Sequence, residues 1–214
     1  MDARWKKGEA IAENWDYWHH RWETNLEGRP LDPLRDTLCG HLQHLVKFAR
    51  VSERETMTGC LECFGVSAVA DIGFIEIRGS PIRWADAVLD GNELLWGELD
   101  YGIPDVRQLP TVGIRLKEVR SFPMIGRIVD VRWNALSGGE NALRIAASLD
   151  SNQEIREAII ATGSLSDDPI IRSCTEHNTW WIETLWVDPD LPPSKEKWVL
   201  YEAIARHLLT LPLG

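Results

Sequence analysis

The sequence predicts an α+β fold, with a mainly antiparallel sheet packed by N-terminal and C-terminal helices. Three observations carry this. Apolar residues recur at helical spacing near both ends of the chain, whereas the middle alternates with period two. The order of segments is helix, helix, several strands, helix, strand, helix, which separates strands from helices rather than interleaving them. Apolar residues make up 44% and charged residues 26% of the 214 positions, enough to build a core and too balanced for a disordered chain. One domain over 1–214 is expected, with 1–30 as an alternative helical arm.

The first helix is expected over 9–23, where Ile11, Trp15, Trp18 and Trp22 share one face. Gly28, Pro30 and Pro33 mark a linker, and Pro33 suits the first turn of a second helix running to about residue 50. Leu34, Leu38, Leu42, Leu45 and Ala49 form its stripe. A strand is expected over 74–78, and 84–89 reads as either a short helix or a strand. Asp90-Gly91 suits a hairpin turn. Residues 93–101 look extended and are expected to break at 102–105. Strands at 111–120 and 125–133 are joined by a short connector and should pair antiparallel.

Residues 142–149 alternate Leu143, Ile145, Ala147 and Leu149, which favours a strand, with helix as the alternative. Ser151 and Glu154 have capping-box spacing for a helix reaching Thr162, with Gly163 as its C-terminal cap. A loop precedes a strand over 178–188, apolar on both faces and therefore central in the sheet. Pro189, Pro192 and Pro193 form a connector. Ser194 caps a last helix over 195–209, with Trp198, Tyr201, Ile204, Ala205 and Leu208 inward.

Charge narrows the range of partners. A formal net charge of -10 without a run of Lys and Arg argues against nucleic acid and against an anionic membrane surface. The N-terminal sequence has no secretory pattern, no segment is apolar enough to span a bilayer, and four cysteines do not make a disulfide scaffold, so a reducing cytoplasm is expected.

Motifs that could carry chemistry are incomplete. Cys60 and Cys63 form a CxxC that, with His41 and His44, could hold zinc; as free cysteines they would otherwise be small buried hydrophobes. A redox reading needs Cys60 at a helix start, and its flanks look strand-like. His19 and His20 with Asp16 and Glu23 form a fragment with nothing to complete it. Pro104-Asp105 is followed by Arg115-Leu116-Lys117, where a metal-dependent nuclease would need a second carboxylate. No nucleophile elbow, phosphate loop or dinucleotide fingerprint is present.

The eleven tryptophans are the compositional anomaly. They serve either as core bulk or as contact residues. Trp15, Trp18, Trp22, Arg83, Trp84, Trp96, Tyr101, Asp105 and Arg107 are the candidate recognition residues, because Trp, Tyr and Arg near fixed turns are what recognition surfaces use. The expected function is a protein-binding or structural module that docks on a protein partner or on its own copy. A metal-assisted hydrolase and a small-ligand sensor are the alternatives.

Overall fold

The computed structural model describes residues 33–51, 75–89, 97–121, 128–162, 169–186 and 192–213. Period-two alternation in the middle of the chain gives β1 (Phe48–Val51), β2 (Ile75–Arg78), β3 (Trp84–Leu89), β4 (Gly97–Pro104), β5 (Gly113–Arg120) and β6 (Ile128–Ser137). β7 (Ile170–Cys174) and β8 (Thr179–Trp186) follow later in the chain. The helices are α1 (Pro33–Leu42), α2 (Gly139–Ser151), α3 (Gln153–Ala161) and α4 (Lys195–Thr210). The strands form one eight-stranded sheet in the order β1-β2-β3-β4-β8-β7-β5-β6. Every neighbouring pair is antiparallel. The α+β expectation holds, as does the central position of the Trp-rich strand β8.

Register assigns the two faces. Ala49 lies opposite Ile77, Ala85 opposite Tyr101, Tyr101 opposite Ile182, Ile182 opposite Ile171, Ile171 opposite Ile114, and Leu116 opposite Trp133. These residues make one continuous apolar face, since partners in register project to the same side. The described helices all contribute to the same core: Leu38 and Leu42 from α1, Ile145 and Leu149 from α2, Ile155 and Ile159 from α3, and Trp198, Tyr201 and Leu208 from α4. Tyr101 is the centrepiece, edge-on to Trp198 at 5.7 Å and tilted against Tyr201 at 5.3 Å. The hydroxyls of Tyr201 and Thr184 are hydrogen-bonded at 3.0 Å, which satisfies two polar atoms that burial would otherwise strand. Ser194 Oγ accepts from Lys197 N at 3.1 Å, and the α4 stripe read from sequence is buried as expected.

Several boundaries differ from expectation. The second helix ends at Leu42 rather than near residue 50. The chain turns where His44 N donates to His41 O and Val46 N to Leu42 O, and Ala49 is buried from a strand instead. A stripe ending in Leu45 and Ala49 fits both structures, which hid the break. Residues 84–89 are strand, and β4 continues through 102–103 to Pro104 rather than breaking at Gly102. β6 extends to Ser137, and β1 and β7 are strands that the sequence reading did not assign.

Residues 142–149 are helical. Ala142, Ile145, Ala146 and Leu149 form the buried stripe, and Leu143 is 62% exposed. Ile145 and Leu149 belong to both periods, so alternation misled. The cap of α3 is Asn152, whose side chain accepts from Ile155 N at 3.1 Å, and not Ser151, whose Oγ donates to Ser148 O. The expected helix over 9–23, the Asp90-Gly91 turn and Gly163 lie outside the described residues. β3 and β4 nevertheless pair as a hairpin would, from Trp84↔Gly102 to Leu89↔Gly97.

The two edge strands carry backbone groups that point away from the sheet. In β1, Ala49 points outward, because its partner Ile77 donates to Arg83 O on the opposite side. Gln43 Nε2 donates to Ala49 O at 3.0 Å. In β6, Trp133 N donates to Asp150 Oδ1 and Val131 N to Asp130 Oδ1, both at 2.8 Å. Arg156 holds Asp130 in turn. Side chains therefore occupy groups that could otherwise pair with another strand.

Candidate functional site

The sheet face opposite the helices gathers the residues best placed for recognition. β4 and β8 set its centre. Gly102 lies opposite Trp84 on one side and opposite Trp181 on the other. A Cβ on Gly102 would stand 2.9 Å from the Trp181 ring and 3.1 Å from the Trp84 ring, so both indoles pack against bare backbone. Gly102 is therefore a packing requirement inside the strand rather than a breaker. Trp181 is buried yet stands apart from the main core, and Trp84 is half-buried.

The next register row is charged. Asp100 faces Glu183 directly across β4 and β8. Like charges in directly opposed positions oppose sheet pairing. Arg172 of β7 relieves this by pairing with Glu183 at 2.5 Å. Arg115 of β5, opposite Ile170, continues the row, and its Nε is buried with no hydrogen-bond partner among the described residues. At the β1 end of the same face, Arg78 and Arg50 lie 4.6 and 5.8 Å from the centre of the Phe48 ring. Both also bind Glu76, and the Arg78 hydrogen bond, against a desolvation that acts the other way, holds the Glu76 carboxyl below its ordinary range.

Asp105 and Arg107 form a second, internal constellation. Burial would raise the Asp105 pKa, but donors from Arg107 and from Trp180 Nε1 outweigh it and hold the carboxyl below its ordinary value. Arg107 binds both carboxylate oxygens, at 2.8 and 2.5 Å, and Trp180 Nε1 donates to Oδ2 at 3.1 Å. The same guanidinium donates to the carbonyl oxygens of Leu208 and Leu211 at the end of α4. A cation at a helix C-terminus is favoured by the helix dipole, and its pKa is raised by the Asp105 hydrogen bond. Asn178, at φ 47, fastens the loop from the other side: its carbonyl accepts from Asp105 N at 2.7 Å and its side chain from Leu109 N at 3.3 Å. Chemically, this is a clasp between the 105–109 loop, the β7–β8 turn and α4.

The candidates named from sequence scatter. Trp84 belongs to the face that carries Trp181, Tyr101 to the core, Asp105 and Arg107 to the clasp, and Arg83 is exposed beside β3. Trp15, Trp18, Trp22, Trp96, Cys60 and Cys63 lie outside the described residues. His41 is half-buried in the last turn of α1, and His44 is exposed in the turn after it, not on a shared helix. Among the described residues no group of three or more His, Cys, Asp or Glu is arranged to hold a metal ion. Cys39 and Cys174 are buried, neither forms a disulfide, and Cys174 Sγ lies 3.4 Å from His177 Nδ1 within the β7–β8 hairpin.

Sequence reasoning did not single out Trp181, Glu183, Arg172, Arg115 or Gly102. The signal was present for two of them, since period-two alternation in β8 sets Trp181 and Glu183 on one face. Their neighbours across the sheet come from distant segments and need the strand order. No helix among the described residues is long and apolar enough to cross a membrane. Comparison with protein-family models, with curated proteins and with solved structures finds no match to this chain.

Proposed function

We propose that this chain is a cytoplasmic protein-binding module whose working surface is the sheet face that carries Trp84, Trp181, Asp100 and Glu183. The observation that carries the reading is the pair of indoles packed against Gly102 beside directly opposed carboxylates. Aromatic rings next to carboxylates suit the cationic side chains of a partner, since a guanidinium or ammonium gains both from the ring face and from the charge. The partner is therefore a basic segment of another protein. A net charge of -10 favours its approach and works against a second copy of the same chain. The capped strand edges also favour docking on a face over strand addition.

The test is a titration of an Arg-rich peptide, followed by tryptophan fluorescence, against the full chain and two charge-matched variants. Glu183→Gln should weaken binding about fivefold to tenfold, the range of one charge-assisted contact. Glu157→Gln, at an exposed position on α3, should leave it nearly unchanged. Equal weakening by both variants would reduce the effect to net charge and sink the reading. Self-association of the unmodified chain, blocked by Trp84→Ala, would replace it with a homotypic interface.

A further inference from the structure

We infer that His207 is a proton-operated latch on the helix layer, whose neutral ring holds the N-terminus of α3 in place and whose protonation releases it. Three helices meet at this ring. His207 belongs to the last turn of α4, and its Nε2 lies 3.0 Å from Ser148 Oγ of α2. Its Nδ1 lies 2.9 Å from Asn152 Nδ2, the cap residue of α3. The orientation of the Asn152 amide is fixed independently, because its Oδ1 accepts from Ile155 N at 3.1 Å. An amide NH2 only donates, so Nδ1 must be an acceptor and the ring proton sits on Nε2, donating to Ser148 Oγ.

Protonating Nδ1 would set one N–H against another. Turning the Asn152 amide over would accommodate the ring but take the oxygen away from Ile155 N, exposing the first turn of α3 without its cap. Either response loosens the same junction. Surrounding charges are already engaged. Asp150 of α2 accepts from Trp133 N, Glu154 of α3 pairs with Arg206 of α4 at 3.3 Å, and Arg156 of α3 pairs with Asp130 of β6. Glu202 of α4 lies 4.0 Å from Arg206. The last-turn position by itself would favour the cation. Burial overrides it and, against a hydrogen bond to the Ser148 backbone that acts the other way, lowers the His207 pKa below the ordinary value of 6.5.

The sign follows from linkage. The unfolded chain takes up a proton near the ordinary histidine value while the folded chain resists it, so the latch contributes fully above about pH 6.5 and its contribution is lost as pH falls. The experiment is a set of denaturant melts of the full chain between pH 8 and pH 5, beside His207→Gln, with imidazole nitrogen and Ile155 amide NMR spectra of the unmodified protein. Over that range the folded-to-unfolded ratio of the parent should fall further than that of the variant. The Ile155 amide should shift with the midpoint of His207, and the ring should show its proton on Nε2. Parallel stability profiles, or a ring protonated on Nδ1 at pH 8, would overturn the latch. The spectra decide the question even where the variant fails to fold.

Discussion

The two faces of the sheet are made from the same strands and from alternate residues, yet they obey different rules. On the helix-covered face, Tyr101, Trp180, Ile182 and Trp133 are buried in the core, and Trp180 Nε1 donates to Asp105. On the opposite face, Trp84 and Trp181 stand among Arg172, Glu183, Asp100 and Arg115. Tryptophan is therefore not one signal in this chain. At positions 133, 180 and 198 it is core volume, and at 84 and 181 it packs on the other side of the sheet, in register rows beside charged residues. Counting aromatics cannot separate the two uses, because the separation lies in strand parity and pairing.

Substitutions can test that contrast by size of effect. Trp180→Ala should be the most damaging, costing about 3–5 kcal/mol, since it empties a fully buried site and removes a donor from a buried carboxylate. Trp84→Ala on the other face should cost under about 1 kcal/mol, because the side chain is only half-buried. Equal losses in urea melts would break the distinction between the faces. Asp105→Asn comes next, at about 2–3 kcal/mol, through weakened charge-assisted bonds to Arg107. Its pH signature is specific. The folded pKa of Asp105 is depressed, so its contribution is present above the ordinary carboxyl range and is lost as pH falls through the folded value. Melts between pH 7 and pH 3 should be flatter for the variant than for the parent.

Gly102→Ala should follow, at about 1–3 kcal/mol, as the new methyl displaces the two indoles, with a changed near-ultraviolet dichroism as the readout. An unchanged spectrum would mean that the rings do not pack against the strand. The smallest effect belongs to Glu76→Gln, within about 0.5 kcal/mol and shrinking with added salt, because its arginine partners are mostly exposed.

The fold was legible where one period dominated. The α4 stripe and the alternation in β8 leave no competing pattern, and both elements form where the sequence places them. Legibility failed where two periods share residues. Ile145 and Leu149 satisfy a strand and a helix alike, and Leu45 with Ala49 satisfies a longer helix as well as a turn followed by β1. It failed again at Gly102, which looked like punctuation because the rings that require it are 18 residues upstream, at Trp84, and far downstream, at Trp181. Of the residues on that face, the sequence reading named Trp84 among its candidates and did not name its partners. Arg172 and Glu183 become neighbours only through the β7–β8 pairing.

The occupied backbone groups at the two outer strands also bear on behaviour at high concentration. A sheet of eight strands could serve as the first unit of an unlimited ribbon, each copy extending the one before. Gln43, Asp130 and Asp150 stand where the next copy would have to bond, and two of them bring negative charge. Crowding such molecules should increase glancing encounters between faces without seeding fibres, and neutralising Asp150 would remove one of the stops.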